Sequence, residues 1–161
     1  MSHVAEIDLV ITDIEVLKQA VASIEGLEWR EKNTYKWFGT HVGDYPLPEG
    51  FTPEDLGKCE FAIGVKGRPE AYEIGVVKKK DGSGYTLLAD FYGGGYGLCA
   101  IAGEKVKGSP IRELRSGQNV LRVANAYAAY MTAKQMKKKG YTSVVSCSPE
   151  GKYRVVSKSR T

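Results

Sequence analysis

Ala71-Tyr72-Glu73-Ile74-Gly75-Val76-Val77-Lys78-Lys79, Lys80-Asp81-Gly82-Ser83-Gly84 and Tyr85-Thr86-Leu87-Leu88-Ala89-Asp90-Phe91-Tyr92 follow one another without a break. Aromatic and β-branched residues fill the first and last runs, and Asp81-Gly82-Ser83-Gly84 has the composition of a hairpin loop. The stretch therefore reads as two antiparallel strands. Cys59 to Lys66, just upstream, has the same character and makes the centre of the chain an antiparallel meander.

Working outward, His3 to Ile11 alternates, with Ala5, Ile7, Leu9 and Ile11 on one face, the period of a half-buried strand. Thr12 and Glu15 form a capping-box pattern, and Ile14, Leu17, Val21 and Ile24 recur at helical spacing until Gly26 stops them. Leu27 to Glu31 and Thr34 to Phe38 read as a hairpin around Lys32-Asn33. Gly39 to Lys58 is broken by Gly43, Pro46, Pro48, Gly50 and Pro53, so it reads as a long loop with one short turn at Thr52 to Leu56. Loops this long in compact domains tend to carry function. A second irregular region runs from Gly93 to Gly117. Gln118 to Lys139 follows as a helix, with Val120, Ala124, Tyr127, Ala128 and Met131 on its apolar face, and ends at Gly140. Thr142 to Ser148 and Lys152 to Ser157 close the chain as a hairpin around Pro149-Glu150-Gly151.

This order lacks the strand–helix alternation of a parallel sheet. The expected fold is α+β: one domain over residues 1–161, an antiparallel β-sheet with two helices packed on one face. The chain is long enough to bury roughly 70% of its unfolded surface. Its 42% hydrophobic and 26% charged residues are ordinary for a globular protein, and no apolar run has membrane-spanning length. Met1 to Glu6 has neither the basic start nor the apolar core of a signal peptide, so a cytoplasmic setting is expected. Cys59, Cys99 and Cys147 are widely separated, unlike the close pairs of zinc or redox motifs, and read as buried structural thiols.

The net charge is +4, with basic clusters at Lys78 to Lys80, Lys137 to Lys139 and Lys152 to Arg160. Such a field favours anionic partners, although +4 over 161 residues is modest for nucleic acid, which is not expected as the partner. Gly93-Gly94-Gly95-Tyr96-Gly97 follows a strand, where bare backbone amides can approach a phosphate and the faces of Tyr92 and Tyr96 can stack on a base. It lacks the lysine and hydroxyl of a P-loop, and a tight bend is the competing reading. Arg122 and Asn125, opposite the apolar face of the last helix, and Arg68, beside Gly67 and Pro69, are candidate phosphate holders. Asp90 at its strand end must find a donor if buried. His41, Asp44 and Tyr45 make the proline-rich loop a candidate rim; His3 and His41 are the two histidines, and no metal-ligand spacing accompanies them. No cofactor motif and no nucleophile–base set is evident.

The opening Met1-Ser2-His3, the strands around Tyr72 to Val76 and Tyr85 to Gly93, Tyr127-Ala128, Lys139-Gly140-Tyr141-Thr142 and Gly151 before Tyr153-Arg154-Val155-Val156 together resemble the family of the hypothetical chloroplast open reading frame thirty-five. That family is a domain of unknown function found in phages, cyanobacteria and plastids. The resemblance covers most of the chain outside residues 39–58 and 97–117. This sequence has Phe91-Tyr92 where the family commonly has a tryptophan before the glycine, and it is longer. The resemblance implies no reaction and no catalytic residue.

Three functional readings remain at this level. The first is a non-enzymatic, homo-oligomeric binder of an anionic small molecule, such as a nucleotide or cyclic nucleotide signal, in the manner of a phage protein that sequesters a host defence signal. The second is an accessory or inhibitor module for a host or photosynthetic enzyme, anchored by aromatics of Gly39 to Phe51. The third is a phosphodiesterase-like hydrolase using His41 or His3.

Overall fold

The computed structural model describes residues 4–40, 47, 49–90, 92–102, 121–148 and 152–159. Strands β1 (Val4–Ile11), β2 (Leu27–Arg30), β3 (Phe61–Val65), β4 (Ile74–Lys78) and β5 (Tyr85–Asp90) form a five-stranded antiparallel sheet in the order β1-β5-β4-β3-β2. The helices are α1 (Ile14–Ala22), the short α2 (Leu98–Ala102) and α3 (Leu121–Lys138). β6 (Tyr141–Cys147) and β7 (Tyr153–Ser159) pair with each other as a separate hairpin. The expected α+β class and central meander are present.

Side-chain alternation divides the sheet into two buried faces. Leu27, Ile63, Val65, Ile74, Val76, Leu87 and Ala89 point to one side, where they pack with Val16, Leu17, Ala20 and Val21 of α1 and Val123, Ala126 and Tyr127 of α3. Both long helices therefore lie on that face. Ala62 and Leu88 point to the other side and meet Tyr35, Phe51, Leu56 and Cys59, a second core supplied by the long connection between β2 and β3. A 3-10 turn at Pro53–Asp55 stands where the short turn was expected.

Four local readings need correction. Residues 34–38 are not the partner of β2: its partner is β3, with Trp29 opposite Ile63, and the 34–38 stretch makes only a single bridge, Thr34 to Lys58. The cap of α1 is Asp13 rather than Thr12, its carboxylate accepting from the Val16 N–H at 3.2 Å. The buried positions of α3 are Val123, Ala126, Tyr127 and Ala129, whereas Ala128 is exposed. The helix is covered on two sides, by α1 and by the hairpin, so its small alanines serve close approach rather than one broad stripe. Cys59 and Cys99 are buried, and burial pushes their thiols up to about 11 and about 12, but Cys147 is exposed.

Contacts to α1 tie the C-terminal elements down. The Tyr127 hydroxyl accepts from the Thr12 and Asp13 N–H groups at 3.0 and 3.3 Å, the Lys134 ammonium pairs with Asp13, and the Ser23 and Tyr153 hydroxyls lie 3.2 Å apart.

On the second face two strand glycines leave room for what covers them. A Cβ on Gly75 would sit 2.3 Å from Cδ1 of the buried Tyr35 ring, and one on Gly64 would sit 2.3 Å from the Arg30 guanidinium carbon. The arginine can swing away, whereas the ring is enclosed. Gly75→Ala is thus expected to destabilise the protein by about 2 kcal/mol through overpacking, and Gly64→Ala by less. Urea unfolding of the two variants checks the order.

Candidate functional site

The site at the end of β5 is built on a buried carboxylate. Asp90 is fully buried, and its carboxylate oxygens accept from the Phe38 N–H at 2.9 Å and the Tyr92 N–H at 3.0 Å. Two of the donors that a buried aspartate requires thus come from separate backbone segments, and the residue locks both against the sheet end.

Beyond it, Tyr92–Gly97 coils as a 3-10 turn. Gly93, Gly95, Tyr96 and Gly97 all take positive φ, of 59°, 64°, 54° and 116°. For Tyr96 this left-handed backbone is costly, and it is held by its surroundings. The Gly95 carbonyl accepts from the Tyr72 N–H at 2.9 Å, and a Cβ on Gly95 would lie 2.9 Å from Leu98 Cβ.

Side chains of mixed character ring this turn. The Arg68 guanidinium lies over Gly97, where a Cβ would come within 2.7 Å of its Nη1. The Tyr72 ring meets the Tyr96 ring edge-on at 5.0 Å, and the Phe38 and Tyr92 rings lie 6.4 Å apart. Phe38 and Tyr96 are each nearly half exposed, at 45% and 48%. Burial, and next the charge of Asp90, push the Tyr72 phenol up to about 12. Tyr72 therefore acts as a neutral packing and hydrogen-bonding group.

The structure brings together Asp90, Tyr92, Gly93, Gly94, Gly95, Tyr96 and Arg68 of the sequence candidates. Asn125 belongs elsewhere, in a cleft between α3 and β7 with Thr132 and Tyr153. Arg122 and Asn125 are both half-buried, in contrast to the solvated helix face expected for them. His3, His41, Asp44 and Tyr45 lie outside the described residues. Phe51 is buried in the second core and is no exposed anchor. Among the described residues no group of three or more His, Cys, Asp or Glu could hold a metal ion, and no helix is long and apolar enough to cross a membrane.

Sequence reasoning missed Glu73. This carboxylate is 2% exposed and accepts from Arg30 Nη1 at 2.8 Å, Lys32 Nζ at 2.6 Å and the Lys36 N–H at 2.8 Å. Arg30 is shared with Glu28, at 2.6 Å. The available signal was an acid inside the run Tyr72-Glu73-Ile74, directly before the apolar Ile74-Gly75-Val76-Val77.

The fold and site define an α+β protein with a glycine turn at a sheet end, overlaid by one arginine and flanked by half-exposed aromatics. No family model, curated protein or solved structure matches the chain.

Burial pushes the Glu73 carboxyl up, but its hydrogen bonds from Lys32, Arg30 and Lys36 outweigh that and hold it below its ordinary value of 4.5. Its contribution to stability is accordingly full above that value and is lost as the pH falls through the lower, folded one. Glu73→Gln should cost about 2 kcal/mol at neutral pH, because it removes the buried charge that the half-buried Arg30 and the part-exposed Lys32 are drawn to. Acid titration of unfolding should show the wild type losing stability more steeply below pH 4.5 than Glu73→Gln does.

Proposed function

We propose that the protein is a non-catalytic binder of an anionic small molecule bearing an aromatic ring, a nucleotide or cyclic nucleotide, at the Tyr92–Gly97 turn. The observation that carries this reading is the Arg68 guanidinium lying over Gly97 beside the half-exposed Tyr96. Backbone amides in a turn of left-handed residues can converge on a phosphate, and an arginine adds bidentate, charge-assisted bonds to the same oxygens. Tyr96 and Phe38 offer faces on which a base stacks. In this reading each polar group assigned at the turn among the described residues serves as a binder or a positioner.

The reading extends to the setting in which such capture has value: an oligomer in the cytoplasm, sequestering a signal, as the resemblance to a family with phage members suggests. An accessory role on another enzyme loses one of its two expected anchors, since Phe51 is buried.

Thermal unfolding against mono-, di- and cyclic nucleotides, with chromatography of the recovered ligand, tests the proposal. At a hundredfold excess over Kd a single site should raise Tm by roughly 5–8 °C. The ligand should come back unchanged. Arg68→Ala and Tyr96→Ala should each weaken binding by about 10-fold or more while leaving the unliganded Tm near that of the wild type. A chemically altered ligand would make the protein an enzyme, and no shift with any nucleotide would remove the reading.

A further inference from the structure

The net charge of +4 hides a strong division along the chain. Of its 23 Lys and Arg residues nine lie from Leu121 onward, but of its 19 Asp and Glu residues only Glu150 does. The last 41 residues are therefore net +8, and the first 120 net −4. The described part of this basic segment is one structural unit, α3 packed beneath the β6–β7 hairpin.

Within this segment itself a single acid, Glu150, stands against the nine cations. Lys134 pairs across to Asp13. Arg154 and Lys158 stand on the outer face of the hairpin, opposite Ser146 and Thr142, with the exposed Val144–Val156 pair between them. Four residues apart on one strand face, they are separated by about 13 Å. Two clefts flank the hairpin. One, of about 400 Å³, is lined by Lys134, Lys137, Tyr130, Tyr141 and Thr142, and the other, of about 390 Å³, by Lys152, Asn125, Thr132 and Tyr153.

We propose that this unit, through the outer face of the β6–β7 hairpin and the basic clefts that flank it, binds the phosphate backbone of nucleic acid. Cations spread over a ribbon match a linear polyanion, and tyrosines at both clefts supply sequence-tolerant stacking surfaces. A two-stranded ribbon also has the width that a duplex major groove admits. A lipid surface fits less well, because Val144, Val156 and Tyr141 are the only large apolar side chains exposed on the hairpin among the described residues. Nucleic acid was not expected from the net charge, since averaging over the whole chain cancels the basic unit against the acidic remainder. This site is separate from the Tyr92–Gly97 turn.

The experiment is fluorescence anisotropy of a labelled 20-nucleotide strand, alone and as a duplex, with the full chain. Neutralisation of about four phosphates predicts affinity for the single strand falling about 50-fold between 50 and 200 mM salt. Reversing both outer-face charges, Arg154→Glu with Lys158→Glu, should weaken binding at least about 10-fold and reduce the salt slope by about 2. Lys78→Glu with Lys79→Glu, a basic run outside this face, should leave binding unchanged, as should Arg68→Ala and millimolar AMP. Comparison of strand and duplex identifies the preferred form. Absence of binding at 50 mM salt would overturn the proposal. So would equal loss on reversing Lys78 and Lys79, loss with Arg68→Ala, or equally tight binding of polyglutamate or phosphatidylserine vesicles. The salt dependence of the wild type stands as a test even if the double reversal impairs folding.

Discussion

Glu73 is buried on the face of the sheet opposite α1 and α3, and an isolated carboxylate there would be prohibitively costly. The cost is met by drawing Arg30, Lys32 and the backbone of Lys36 onto one acidic side chain. Because these donors come from the last residue of β2 and the chain just after it, satisfying Glu73 and laying that chain across the sheet are one event. The Glu73 N–H in turn donates to the Lys36 carbonyl at 3.0 Å, so the overlay is bonded in both directions. With the overlay in place Tyr35 is carried above Gly75, and the second core closes on it.

Asp90 repeats the device one strand over. It takes the Phe38 N–H from the far end of the same overlay and the Tyr92 N–H from the glycine turn. Two acids, one just before β4 and one at the end of β5, thereby hold one extended segment at two points, and the second point positions the candidate site. Phe38 reaches Tyr92 because its own amide is held, and the aromatic rim inherits its geometry from the buried polar groups beneath it. Disturbance of Glu73 should therefore be felt at the turn, through the overlay and through the neighbouring Tyr72, which bonds to Gly95.

The parts of this architecture legible from sequence are those written in local pattern. The Asp81–Gly84 loop, the alternation of the strands it joins, the first helix and the terminal hairpin each carry their own period and punctuation. What local pattern could not reveal is the overlay. Tyr35 and Trp37 alternate as in a strand because one side of that segment lies flat on the sheet, but its amides are answered by Glu73, Asp90 and the Gly57 carbonyl instead of by β2. The pairing of β2 with β3 spans the long connection, and nothing near Lys32-Asn33 signals it. At the site, Asp90 and the glycine turn were legible by chemistry, and Arg68 by residue type. Its approach to Gly97 depends on a turn between β3 and β4 meeting one after β5, which only the folded topology provides. The half-buried setting of Asn125 was hidden for the same reason: the hairpin covers a helix face that sequence period alone leaves to solvent.

The separation of charge between the basic C-terminal unit and the acidic remainder gives the molecule a permanent electric moment in addition to its net charge. A body of this kind orients in a field and adsorbs end-on. It can be retained by cation and anion exchangers alike, and its solubility should pass through a minimum at low ionic strength, where opposite ends of neighbouring molecules attract over tens of ångströms. Contacts of that origin are head-to-tail and have no built-in closure. Salt at about 0.15 M, by shortening the reach of the field to about 8 Å, should weaken such contacts.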